Sequence, residues 1–201
     1  MSNLTIPHPR ALILGALFML LACDDGPSSG DPLTQAEAEA LIVATATLTT
    51  GDSEPLHSSV DSIVYACPAG GRVKQVGSLT ERDEGSVSRL TVDAVITPAD
   101  CMVKMDEATF TLDGDPSIRF VMHVDVRDQN ITTLELTGII GGTLKYKVEN
   151  RTGVCPINTQ FSAVPDLSTG DLTLDGELTG TVCGHTVKLD IMDVLPPLPI
   201  D

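Results

Sequence analysis

The chain has 201 residues, a formal net charge of −16 at pH 7 and few aromatic residues, with no tryptophan among them. This length fits one domain with its own core better than two. The acidic balance argues against binding to nucleic acid or to anionic lipid head groups, since both attract cationic proteins. The scarcity of aromatic rings argues against a surface on which sugars or bases stack.

An apolar run near the start of the chain ends at a cysteine. Residues 11–22, ALILGALFMLLA, carry no charge, and Cys23 is followed at once by Asp24 and Asp25. A helix of that length measures about 18 Å, which is too short for the roughly 30 Å hydrocarbon core of a membrane. The pattern therefore predicts a cleaved signal peptide over residues 1–22.

The tetrapeptide Leu20–Cys23 resembles the lipobox of bacterial lipoproteins, in which a small residue precedes a cysteine that becomes lipid-modified. The resemblance implies an acylated Cys23 as the mature N-terminus and a domain held at a membrane outside the cytoplasm, in the bacterial cell envelope. The alternative is an ordinary secretory signal beside an incidental cysteine. The resemblance concerns the location of the chain and implies no activity.

A flexible tether and a helix are predicted next. Residues 23–33 form the lipidated N-terminus and a tether rich in Gly, Pro, Ser and Asp. Thr34 and Glu37 have the spacing of a capping box, and Gly51 can end a helix, which predicts an amphipathic helix over residues 34–50 packed on a sheet or, alternatively, on a partner. Its buried face would contain Ala38, Leu41, Ile42, Thr45 and Leu48.

Beyond the helix, apolar and polar residues alternate with a period of two, as in strands that bury one face. The clearest run is residues 118–127, and turn signals follow at short intervals. We count about nine or ten strands with short connections, which predicts a mainly β domain over residues 34–193. Its strands would form an antiparallel up-and-down meander, either a closed barrel or a strongly curved sheet over the helix. Residues 194–201 would form an extended, proline-rich tail. Turns are predicted at Asp113-Gly114, Gly141-Gly142, Gly153, Gly170 and Asp175-Gly176.

An even number of cysteines remains after the signal peptide and Cys23, which predicts two disulfides in an exported chain. Spacing alone leaves three connectivities open, and it lacks the close pairs that are typical of zinc ligands. The segments CPAGG and CPIN, each followed by a glycine-punctuated β-rich stretch and a later cysteine, resemble uncharacterised exported bacterial β-domains. The four cysteines are Cys67, Cys101, Cys155 and Cys183.

The positions of the polar turns favour one connectivity. Residue 84 lies midway in the Cys67–Cys101 interval and residue 169 midway in the Cys155–Cys183 interval, both in glycine-containing segments. Cysteines equidistant from a hairpin tip face each other across antiparallel strands. We therefore predict these two pairs as the disulfides, with a bulge in the strands to match the side-chain registers.

Few residues suggest chemistry. His123 and Asp125 lie two apart on one strand face and fit either a metal or acid–base site or a solvated polar face. Cys183 and His185 lie close in sequence, but a cysteine in a disulfide is no nucleophile. Leu112–Asp115 carries two carboxylates and fits either a calcium loop or a hairpin turn. We predict no catalytic residues, no metal site and no cofactor.

The leading hypothesis is a lipid-anchored, non-catalytic β-domain that binds a partner or has a structural role in the envelope. Its predicted contacts are the membrane, through the lipid on Cys23, and an unidentified envelope protein or apolar ligand, but no nucleic acid. The alternative is a carrier of a lipid or apolar small molecule, which requires a continuous apolar pocket beneath the helix. A hydrolase is the third hypothesis, and it requires His123 or His185 to converge with carboxylates.

Overall fold

The computed structural model describes residues 32–50, 55–58, 62–105, 108–114, 117–127, 130–166 and 173–194. The predicted signal peptide, Cys23, most of the tether and the proline-rich tail beyond Val194 lie outside these residues, while Val194 itself, predicted as the start of the tail, ends a helix. Within these ranges the structure is mainly β, with two helices and eleven strands. In chain order these are α1 (Gln35–Thr50), β1 (Pro55–Ser58), β2 (Ser62–Ala66), β3 (Arg72–Glu84), β4 (Val87–Ala99), β5 (Cys101–Met105), β6 (Ala108–Asp113), β7 (Ile118–Arg127), β8 (Asn130–Val148), β9 (Arg151–Asp166), β10 (Thr173–Val182), β11 (His185–Asp190) and α2 (Ile191–Val194).

The strands form one antiparallel sheet whose order runs from β1 at one edge to β11 at the other, and the sheet is not closed. β4 pairs with β7, as at Ile96 and Ile118, and β5 pairs with β6, as at Cys101 and Leu112. β4 and β5 are therefore two parts of one long strand, and so are β6 and β7. Asp100, with a φ of 48°, marks one interruption. The predicted antiparallel meander is thus confirmed, whereas the closed barrel is wrong for the part of the chain described.

Three of the predicted glycine turns are wrong, because the glycines lie inside long strands. Gly141-Gly142 lies in β8, Gly153 in β9 and Asp175-Gly176 in β10. Gly153 pairs with Tyr146, and a Cβ at this position would come within 2.5 Å of the tyrosine hydroxyl oxygen. The glycine therefore makes room for a cross-strand ring instead of ending the strand. Asp113-Gly114 does end β6, and Gly170 lies outside the described residues.

One face of the sheet, called the inner face, packs on α1 in a single core. The predicted buried side of α1 is confirmed, and Ala44 and Ala46 are buried as well. A helix buried over so wide an arc is covered on most sides, unlike a helix lying on a surface. α2, which has no counterpart among the predicted elements, adds Ile191 and Val194 to the same core.

The start of α1 is fixed to the sheet by polar contacts. The predicted capping box is confirmed: the Thr34 amide donates to Glu37 Oε2 (2.8 Å), and the Glu37 amide donates to Thr34 Oγ1 (3.3 Å). Arg151, at the start of β9, also donates to both carboxylate oxygens of Glu37. Nearby, His185 Nε2 donates to the Leu33 carbonyl oxygen (2.7 Å). The hydrogen bonds from Arg151 lower the pKa of Glu37 to about 2.

Both predicted disulfides, Cys67–Cys101 and Cys155–Cys183, are present. The β3–β4 hairpin turns at Gly85, close to the predicted midpoint, whereas residue 169 lies outside the described residues. The predicted bulge is absent from both hairpin ladders, because each disulfide lies just beyond the paired residues. Two disulfides indicate an oxidising, non-cytoplasmic compartment. Neither of the described helices is long and apolar enough to span a membrane.

Replacing Glu37 with Gln should lower the free energy of unfolding at pH 7 by roughly 1–2 kcal/mol, because Arg151 and the Thr34 amide lose a charged hydrogen-bond acceptor. A lowered carboxyl pKa contributes stability above the unfolded value of 4.5, and that contribution disappears as the pH falls towards 2. Urea unfolding of Glu37→Gln should therefore show a weaker dependence on pH between 4.5 and 2 than the parent. Glu39→Gln, on the same helix, is the control, and equal losses in both variants would contradict a special role for Glu37.

Candidate binding groove

The structure places His123 and Asp125 on the outer face of β7, the face opposite α1, but gives them separate partners. His123 Nδ1 lies 2.9 Å from Thr91 Oγ1. Asp125 accepts hydrogen bonds of 2.6 Å from both Nε and Nη2 of Arg89, which hold the pKa of its carboxyl below the usual value. The two side chains therefore do not form a joint acid–base pair.

The other candidate residues are also separated. Asp113 accepts a hydrogen bond from the Asp100 amide (2.9 Å) at the interruption between β4 and β5, and Asp115 lies outside the described residues. Cys183 is in its disulfide, while His185 is bound to the start of α1. Among the described residues no three metal-ligating side chains come together.

A groove of about 490 Å³ lies on the outer face of β7, β8, β9 and β10. The strand registers bring one residue from each of these strands into each of two adjacent rows. At a strand spacing of about 4.8 Å, each row is about 14 Å long. The first row contains His123, Thr137, Ser162 and Glu177, and the second contains Val121, Ile139, Gln160 and Thr179.

The backbone at Gly138 forms part of the groove wall. A Cβ here would lie 2.3 Å from the Val121 carbonyl oxygen and 2.4 Å from Cζ of Phe161. Phe161 pairs with Gly138 across β8 and β9, and its ring stacks on Phe120 with a centroid distance of 6.0 Å. The buried Phe161 ring thus fills the space that a side chain at position 138 would need.

Three ion pairs border the groove. Arg119 donates to both carboxylate oxygens of Asp93 (3.0 and 2.7 Å), and this lowers the pKa of the Asp93 carboxyl. Exposed ion pairs of this kind add little stability. Because Arg89, Arg119 and Lys188 are all paired, no unpaired cation lies beside the groove in the described residues. The bordering pairs are Arg89–Asp125, Arg119–Asp93 and Lys188–Glu177.

The uncharged polar side chains of the groove have no such partners. Gln160 and Ser162 are exposed, and Thr137 and Thr179 are half-buried. Among the described residues, none of these four side chains makes a hydrogen bond to another protein group. Three hydroxyls and one amide, all able both to donate and to accept hydrogen bonds, therefore face the same groove.

Of the residues that line the groove, His123 alone is a candidate site residue from the sequence. Strand alternation places polar residues such as Thr137 on the outer face. Whether Thr137 lies next to Ser162 and Gln160, however, depends on the register between β8 and β9, which joins residues far apart in sequence. No local sequence signal gives that register across four strands. No protein-family model, curated protein or solved structure matches this chain.

Replacing Gly138 with Ala should destabilise the protein by roughly 2–3 kcal/mol, because the new methyl group overlaps Phe161 and a backbone oxygen. Gly141→Ala is a matched control on the same strand, since its nearest neighbouring atom is 3.8 Å from the added Cβ. We expect that variant to differ from the parent by at most about 0.5 kcal/mol in urea unfolding. Equal stabilities for the two variants would show that Phe161 does not pack against residue 138.

Proposed function

We propose that this protein is an exported, lipid-anchored and non-catalytic binding domain whose groove takes a small, uncharged polar molecule. The convergence of four unpartnered hydroxyl and amide side chains on one groove carries this proposal. These groups match the hydroxyls or amides of a ligand. An anionic ligand would lose hydration without gaining an unpaired cation among the described residues. Val121 and Ile139 add apolar contact area, and Ile139 is 46% exposed.

The candidate catalytic residues are each hydrogen-bonded to other groups, which supports a non-catalytic role. Hydrolysis by a histidine and a carboxylate needs the two groups within hydrogen-bond reach of each other. His123 instead contacts Thr91, Asp125 is held by Arg89, and His185 is bound to Leu33. Each of these contacts stabilises strand pairing or the start of α1.

Packing beneath α1 favours binding in the groove over transport of an apolar molecule. The carrier hypothesis needs space between α1 and the inner face. At that place Leu41 and Ile42 of α1 and Ile140 and Leu144 of β8 are all 0% exposed. Apolar side chains therefore occupy the region in which the carrier would hold its ligand.

A lipid anchor at Cys23 is part of the proposal. Its support is the lipobox-like Leu20–Cys23 and the two disulfides, which fit an exported chain. Residues 23–33 would connect the lipid to Thr34 at the start of the domain. The strongly acidic body would be repelled by anionic head groups, so the tether would keep it near the membrane without adsorption. Unidentified envelope proteins remain possible partners of such a domain.

The groove is tested by NMR titration of the exported Cys23→Ser chain with glucose, N-acetylglucosamine and N-acetylglycinamide. We expect amide shifts confined to β7–β10 with at least one of these uncharged probes. The double variant Gln160→Leu/Thr179→Val should bind at least tenfold more weakly, because two hydrogen-bonding groups are lost. Thr152→Val, on an exposed site of β9 outside the groove, is the control. Shifts on the inner face, or shifts that the double variant retains, would contradict the assignment.

The anchor is tested by mass spectrometry of the N-terminal peptide from the membrane fraction of a bacterium that expresses the whole chain. We expect a peptide that begins at Cys23 and carries the mass of attached acyl chains. Cys23→Ser should shift the protein from the membrane to the soluble fraction, because the thioether can no longer form. An exported chain with an unmodified Cys23 would instead indicate an ordinary secretory signal.

A further inference from the structure

The second half of β3 is an edge of the sheet. β4 pairs with β3 along its whole length, whereas β2 pairs with it only from Arg72 to Val76. From Leu79 to Glu84, no described strand lies on the other side of β3, and every residue of this segment is exposed. We call Leu79–Glu84 the β3 edge. Alternate residues of such an edge present backbone amides and carbonyls that point away from the paired neighbour.

The strands behind the β3 edge hold it in an extended conformation. Glu81 pairs with Leu90 of β4, and Leu90 pairs with Val124 of β7. β8 lies next to β7 in the same sheet. A further strand that joined this edge would therefore meet a backbone that is already ordered, which lowers the entropy cost of binding.

The inner-face side chains of the β3 edge indicate which strand would fit beside it. Val73, earlier on β3, is buried in the core, so strand alternation places Leu79, Glu81 and Asp83 on the inner face. Leu79 is 65% exposed, the largest fraction among the large apolar side chains of the described residues. The side chains of Glu81 and Asp83 have no hydrogen-bond or ion-pair partner in the described part of the chain. One apolar and two anionic side chains are therefore available to a neighbouring strand.

We propose that the β3 edge binds a cationic, extended segment of another protein, which joins the sheet as a further strand. Its lysine or arginine side chains lie opposite Glu81 and Asp83, and an apolar side chain lies opposite Leu79. Residues directly opposite on neighbouring strands have Cβ atoms about 5 Å apart, which is close enough for both kinds of contact. Backbone hydrogen bonds supply the affinity, and the three side-chain pairs supply the specificity. On the outer face, Arg82 and Glu84 pair with each other at 3.5 Å and add no net charge.

The charge of the chain favours a cationic partner over a second copy. Each copy has a formal net charge of −16, and two copies joined at this edge would bring Glu81 and Asp83 of both chains to the same seam. Like charges on neighbouring strands are destabilising, whereas a cationic segment gains from the attraction. Charged side chains on an edge strand also oppose pairing with unrelated strands. The same two carboxylates would therefore select the partner.

The test is an NMR titration of the exported Cys23→Ser chain with the acetylated and amidated peptide Lys-Thr-Lys-Thr-Ile-Thr at millimolar concentrations. In an antiparallel orientation its two lysines lie opposite Asp83 and Glu81, and its isoleucine lies opposite Leu79. We expect amide shifts along β3 from Leu79 to Glu84. The variant Glu81→Gln/Asp83→Asn should bind the peptide several-fold more weakly, because two cross-strand ion pairs are lost.

Two controls separate strand addition from general attraction between opposite charges. Glu135→Gln/Glu149→Gln removes the same charge at positions away from β3 and should bind the peptide like the parent. The peptide with every backbone amide N-methylated keeps its lysines but cannot donate to the sheet edge, and it should cause no shifts on β3.

Three results would overturn the proposal. The first is the absence of peptide-induced shifts on β3, and the second is equal binding by the N-methylated peptide or by Glu81→Gln/Asp83→Asn. The third is a dimer of the chain alone in sedimentation that Leu79→Asp dissociates, since a second copy would then occupy the edge. None of these readouts involves the groove on β7–β10, so their failure would leave the proposed function standing.

Discussion

The packing of one helix against one face of an open antiparallel sheet is the constraint on which the rest of this structure depends. A sheet with an apolar face is stable only when that face is covered, and α1 supplies the cover with residues that are fully buried. The Glu37–Arg151 ion pair and the capping box fix where the helix starts. Because apolar side chains of the inner face pack in the core with α1, hydroxyl, amide and charged side chains lie on the outer face, where the groove is.

Much of the fold follows from local sequence patterns. Alternation of apolar and polar residues separates the inner from the outer face, Thr34 and Glu37 mark the helix start, and the turn near residue 84 indicates the Cys67–Cys101 pair. Glycines mislead: Gly153, a predicted turn, lies opposite the Tyr146 ring on the neighbouring strand, and only the folded chain shows that pairing. The groove is not predictable for a related reason: it depends on the registers of three strand pairs, which are long-range properties.

The two disulfides lie at the open ends of the β3–β4 and β9–β10 hairpins. One disulfide thereby links strands beside the groove, and the other links β9 and β10, which form part of it. The local electrostatics of the groove differ from those of the whole chain. Although the net charge is −16, Asp93, Asp125 and Glu177 at the groove border each have a cationic partner, which is why we propose an uncharged ligand.

The most direct test of a binding role is native mass spectrometry of the Cys23→Ser chain purified gently from the exported fraction. We predict an adduct with the mass of a small, uncharged polar compound, absent when Gln160 and Thr179 are replaced. An adduct with the mass of a fatty acid or phospholipid that survives those replacements would contradict it and would support a carrier of apolar molecules. If every preparation showed only the mass of the bare polypeptide, this would equally contradict the proposal that the groove retains a ligand.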